Sequence, residues 1–130
     1  MRVLCNWLPS RLNSRIIAAE FSQMLATHGI TVPASEVNVR PPRRLTEQDK
    51  TKKWHQDDNK ADGDPTERLL LILWSNKNST RVRDRQTKQQ YPAASDGDVL
   101  LIDNDACQHQ MPPGGNKRWL AIGIVSRVEL

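Results

Sequence analysis

Leu69-Leu70-Leu71-Ile72-Leu73-Trp74 is the stretch on which the fold turns. Six consecutive apolar residues are too few for an ordinary helix, and they do not alternate with polar ones. They fit a strand buried on both faces. A second run, Val99-Leu100-Leu101-Ile102, sits between Asp98 and Asp103 and reads the same way. A third, over 118–128, carries Trp119, Ala121, Ile122, Ile124, Val125 and Val128, and is expected to be the longest strand.

The segments around these runs supply the cover and the connections. Residues 3–8 can open with a short strand. Leu12, Ile16, Ile17, Phe21, Met24 and Leu25 recur at helical spacing after Ser10, a residue suited to cap a helix start. Gly29 suits the left-handed position that ends a helix. A helix is therefore expected over 10–27, lying across one face of the sheet, with His28 at its end and without a chemical role. Val37 and Val39 alternate with polar neighbours in a further strand, stopped by Pro41-Pro42. Residues 43–51 read as polar loop, and a short strand is expected over 53–58. Residues 59–67 and 75–79 read as turns, Thr80 to Arg83 as a short strand, and 84–97 as loop. A tight turn at Asn104-Asp105 leads to a strand over 107–110, and Pro112-Pro113-Gly114-Gly115 makes another turn. One helix followed by many short strands predicts an all-β sandwich or barrel with a helical flank.

Composition sets outer bounds. A chain of 130 residues is expected to be a single domain, and its apolar residues come in discrete runs, as in a globular protein. The net charge of +4 is too mild to specify a partner by itself. It is unevenly spread. Arg40, Arg43, Arg44, Lys50, Lys52 and Lys53 crowd one segment, and Arg81, Arg83, Arg85 and Lys88 another. The basic loop over 40–53 favours an anionic partner, whereas the plain reading of both segments is solvated loop. Two cysteines make no disulfide framework, the N-terminal apolar run is short for a signal peptide, and no stretch has membrane-spanning length. A cytoplasmic protein without membrane association is expected.

The chemistry gathers at Lys53-Trp54-His55-Gln56-Asp57-Asp58. On a strand, side chains at i and i+2 share a face, so His55 and Asp57 would project together. An imidazole and a carboxylate are two of the three ligands of a facial iron site, and another His must supply the third. His109 follows at the end of a core strand, and Arg118 begins the next. Arg alone offers a permanently charged planar fork for a carboxylate. Iron at one end and a guanidinium at the other match a 2-oxo dicarboxylic acid. The plain alternatives are an exposed polar strand end for His55-Gln56-Asp57 and a surface residue for Arg118.

This order of residues resembles the Fe(II)/2-oxoglutarate-dependent dioxygenase family, in its prolyl-hydroxylase-like branch. It runs from His55-Gln56-Asp57 through Leu69 to Trp74 and Asp96 to Asn104, and ends with His109 and Arg118-Trp119. The resemblance covers about 50–125. It implies a double-stranded β-helix, the jelly-roll or cupin-like core, with one N-terminal flanking helix. It implies Fe(II) held by His55, Asp57 and His109, and 2-oxoglutarate held by the iron and Arg118, with ascorbate as a candidate reductant. The implied reaction hydroxylates a substrate C–H bond while 2-oxoglutarate is decarboxylated to succinate. The substrate class stays open among protein, nucleic acid and small molecule.

The chain departs from the family in being short and in lacking a hydroxyl on the strand Leu69 to Leu73 to help hold the far carboxylate. Thr80, Tyr91 and Ser126 are the substitutes at hand. Two other readings compete. Cys107 and His109 share a face, and with His55 and Asp57 they would make a closed zinc site, although structural zinc usually takes more cysteines. The alternative to an oxygenase is a cupin-like metal-binding or nucleic-acid-binding module without that activity. Trp54 and Trp119 read as packing residues that could also wall a substrate pocket, and Asp58 would replace Asp57 only across a bulge.

Overall fold

The computed structural model describes residues 1–45, 53–56, 69–77, 80–110 and 118–126. Six strands form one sheet: β1 (Arg2–Asn6), β2 (Asn38–Val39), β3 (Arg43–Leu45), β4 (Leu69–Ser75), β6 (Asp98–Asp103) and β8 (Arg118–Ser126). The order is β1-β6-β4-β8-β2, and β3 also pairs with β8. Every pairing is antiparallel. A second, smaller sheet joins β5 (Arg81–Asp84) to β7 (Cys107–Gln110). The protein is thus mainly β, with one α-helix and antiparallel sheets, as in a β-sandwich.

The apolar run that opened the reading is β4, the middle strand of the large sheet, and all seven of its residues are buried. Its period of two divides the core. Leu70, Ile72 and Trp74 face the helix side with Val99 and Leu101 of β6 and with Ala121 and Val125 of β8. Leu69, Leu71 and Leu73 face the other side with Leu100, Ile102 and Leu120, where they meet Val82 of β5 and Cys107 of β7. The small sheet therefore covers the face that the helix leaves open. Each fully buried aliphatic side chain is worth about 1.5–3 kcal/mol in removal from water, so β4 is the largest apolar contribution of any strand.

Helix α1 (Ser14–Thr27) starts later than the expected residue 10. Asn13 outcompetes Ser10 as the cap: its Oδ1 accepts from the backbone N–H of Arg15 at 3.0 Å and of Ile16 at 3.3 Å. Ile17, Ala18, Phe21, Met24 and Leu25 form the buried stripe. Gly29 ends the helix at φ +78. The Gly29 N–H bonds the Ala26 carbonyl and the Ile30 N–H bonds the Leu25 carbonyl, which is a Schellman close. His28 ties this end to the sheet by donating from Nε2 to the Leu4 carbonyl at 2.8 Å.

Three further expectations are adjusted. Glu36 lies in a 3₁₀ turn (Ala34–Glu36), so strand geometry is confined to β2. Residues 43–45, read as loop, form β3, with Arg43, Arg44 and Leu45 opposite Leu120, Trp119 and Arg118. Backbone pairing with a strong neighbour needs no apolar pattern, which is why a polar segment concealed a strand. Of the segment expected as a strand over 53–58, residues 53–56 show a single bridge at His55, and 57–58 lie outside the described residues. The turn at 112–115 lies outside the described residues.

Candidate functional site

The small sheet places the histidines. His55 and His109 face each other across an antiparallel bridge and exchange both backbone hydrogen bonds, His55 N–H to His109 O at 3.0 Å and the reverse at 2.9 Å. Directly opposed residues of such a pair project to the same side. The rings follow: their centroids are 4.2 Å apart and their planes are inclined by 58°. His109 is 2% exposed and shares the inward face of β7 with Cys107, so the pair opens into the space between the sheets. His55 is half-buried at its rim.

The His55 ring is also oriented. Its Nδ1 lies 2.8 Å from the Lys53 carbonyl. A carbonyl can only accept, so Nδ1 carries the hydrogen and, in the neutral ring, the lone pair sits on Nε2. A backbone carbonyl on the second nitrogen is the usual way a ligand imidazole has its tautomer set.

Arg118 opens β8 on the facing sheet, and its backbone pairs opposite Leu45. The adjoining peptide is clamped on both sides. Asn76 Oδ1 accepts the Trp119 N–H at 2.7 Å, and the Ser75 hydroxyl donates to the Trp119 carbonyl at 2.7 Å. Neither residue stood out in the sequence, because a hydrogen bond to the backbone carries no residue pattern. Asp57 lies outside the described residues, as do residues 46–52 of the loop expected over 40–53. Among the described residues, no three His, Cys, Asp or Glu side chains are grouped as a metal set.

Burial pushes the Cys107 thiol above its ordinary value, with the neighbouring Tyr91 hydroxyl acting weakly the other way. Tyr91 is raised in turn, first by charge on Cys107 and then by burial. The fourth ligand of a zinc site closed by Cys107, Asp57, lies outside the described residues. Thr80, just before β5, is buried at 1% exposure.

Trp54 and Trp119 separate. Trp119 is half-buried against the helix-side core. Trp54 lies under an arginine, with Arg83 Cζ 4.4 Å from its ring centroid.

The fold resembles that of a prolyl 4-hydroxylase from Phytophthora capsici, with a TM-score of 0.52 at 17% sequence identity. The likeness is one of fold. It covers 82% of this chain but 39% of that one, so the chain spans about two fifths of the length of its structural neighbour. No protein-family model matches the sequence, and no curated protein does. No helix among the described residues is long and apolar enough to cross a membrane.

Proposed function

We propose that the protein is an Fe(II)/2-oxoglutarate-dependent oxygenase of the prolyl-hydroxylase-like branch, built on a double-stranded β-helix and acting as a hydroxylase. The observation that carries the reading is the His55–His109 pair, two imidazoles held side by side between two sheets by a reciprocal backbone bridge. The fold likeness to a prolyl 4-hydroxylase supports it.

The donor set suits the group. Two neutral imidazoles with a carboxylate two residues from one of them make the facial set that leaves three positions open. His55 and His109 would hold the iron through ring nitrogens, with Asp57 as the third ligand. The bound metal and 2-oxoglutarate together supply oxygen activation: one atom of O₂ enters succinate as CO₂ leaves, and the other enters the substrate C–H bond.

The chain's own residues bind, orient and exclude water. Lys53 O holds the His55 ring in its ligating tautomer. Val82, opposite His109, and Cys107, on the same face of β7, pack with the leucines of β4 and would keep bulk water from that side. Arg118 takes the far carboxylate of 2-oxoglutarate as a bidentate fork. Thr80, Tyr91 or Ser126 would supply the hydroxyl that assists it. No side chain is required as a general base.

The test is succinate production from 2-oxoglutarate with Fe(II), oxygen and ascorbate, in wild type and in Asp57→Ala. Turnover in the first and its loss in the second support the reading. Metal binding without succinate, over a broad substrate panel, would leave a binding module instead.

A further inference from the structure

The outer face of the small sheet, turned away from the histidines, has a composition of its own. On β5, Val82 points inward and Arg81 and Arg83 outward. On β7, Cys107 and His109 point inward, leaving Gln108 and Gln110 outside. Gln90 bridges opposite Arg83, and Trp54 and Gln56 flank His55. The hairpin that follows β5 adds Arg85 and Lys88, and Lys53 adds a cation on the other flank; all three are exposed.

Three observations separate this face from an ordinary solvated surface. First, little acid offsets these cations: the ion pair among the described residues, Lys77–Asp96 at 3.7 Å, lies elsewhere, and within the segment Arg85 is drawn to Asp84. Asp84, the acid within the segment, has its carboxylate engaged by the N–H groups of Gln86 and Thr87 at its own turn. Second, Arg83 is held in place. Its guanidinium lies over Trp54 and its Nε–H donates to Gln108 Oε1 at 2.9 Å, which reduces the conformational entropy a ligand must overcome. Third, the side chains between the cations are amides, which donate and accept, with an indole among them.

We propose that this face docks single-stranded nucleic acid. Charge complementarity selects a polyanion: Lys53, Arg81, Arg85 and Lys88 would follow phosphates along the sheet. The stacked Arg83–Trp54 pair offers a planar platform for a base, and the Gln108 amide N–H₂, on the side not taken by Arg83, offers donors to base edges. An acidic peptide would use the cations but would have no use for the platform. The inference goes beyond the oxygenase reading and does not depend on it, because the face lies on the other side of the strands that carry His55 and His109.

The experiment is fluorescence anisotropy of labelled oligo-dT and oligo-rU, about fifteen nucleotides long, titrated with metal-free full-length protein at several salt concentrations. Binding should weaken with salt at a log–log slope of about −2 to −3, the share of three to four phosphate contacts at ~0.7 each. Arg81→Glu with Arg85→Glu, both at exposed positions, should weaken binding at least tenfold and flatten the slope. Trp54→Ala should weaken nucleic acid roughly five- to tenfold while leaving binding of polyglutamate unchanged. Circular dichroism melting establishes that each variant is folded. No binding at about 50 mM salt, or affinity unchanged in the charge-reversed protein, overturns the proposal. So does polyglutamate competing on equal terms with Trp54→Ala without effect, which would make the face a general polyanion surface.

Discussion

Phe21 of the helix packs into the place that a side chain would occupy at position 123 of β8. A Cβ built on Gly123 would stand 3.0 Å from Phe21 Cδ2 and 3.3 Å from Val37 Cγ1. Phe21 is fully buried and cannot retreat toward solvent. The missing side chain is thus what lets the helix seat against the sheet. Gly123→Ala should destabilise by about 1–3 kcal/mol through overpacking, read as a lower urea midpoint at unchanged slope. An unchanged midpoint would show that the helix shifts freely on the sheet.

The helix start offers a second test. Asn13→Ala removes the acceptor of two first-turn N–H groups and should cost about 0.5–2 kcal/mol. Ser10→Ala should stay within about 0.5 kcal/mol of wild type. Thermal melts of the two variants decide between the caps, and the reverse order would place the helix start at residue 10.

Alkaline pH should unfold the protein through its thiols. Burial raises Cys107, against smaller opposing contributions from the N-terminal ammonium and the neighbouring Tyr91 hydroxyl. Burial, then Asp98, raises Cys5. A folded pKa above the unfolded value means stability that is complete below the ordinary thiol value of 9.0 and is lost as pH rises through the folded one. The urea midpoint should therefore hold to about pH 8 and fall above 9. Cys107→Ala should lower the plateau but flatten the alkaline slope. A slope identical to wild type would remove Cys107 as its cause.

Arg118 should control cosubstrate affinity more than turnover. Losing a charge-assisted fork costs about 1.5–3 kcal/mol, so Arg118→Ala should raise the KM for 2-oxoglutarate roughly tenfold to a hundredfold, with a smaller change in kcat. Arg118→Lys should recover only part, because an ammonium cannot reproduce the fork. Equal KM values in all three proteins would remove Arg118 from the site.

The legible parts of the fold are those in which burial writes itself into residue type. Leu69 to Trp74 and Val99 to Ile102 could be read as doubly covered strands because both of their faces had to be apolar. Gly29 could be read as a helix end because its backbone needs a left-handed φ. The parts that escaped are made by the backbone or by local competition. Arg43–Leu45 pairs with β8 through main-chain groups alone, and Asn13 displaced Ser10 because its side chain sits where the first free N–H groups are. The site divides in the same way. His55 and His109 stood out by residue type, but their register comes from a pairing fifty-four positions apart. The Lys53 carbonyl and the Ser75–Asn76 clamp leave no trace in a sequence pattern. Arg83 and Trp54 read separately in the sequence, as part of a basic segment and as a packing residue, and only the fold stacks one on the other.

Titration calorimetry with Mn(II), a redox-inert stand-in for iron, tests the shared-ion claim most directly. Wild-type protein should bind one ion per chain. His55→Ala and His109→Ala should each reduce affinity by at least a hundredfold, because each removes one donor to the same ion. Undiminished binding in either folded variant would mean that the two imidazoles do not hold a metal together, and the oxygenase reading would go with it.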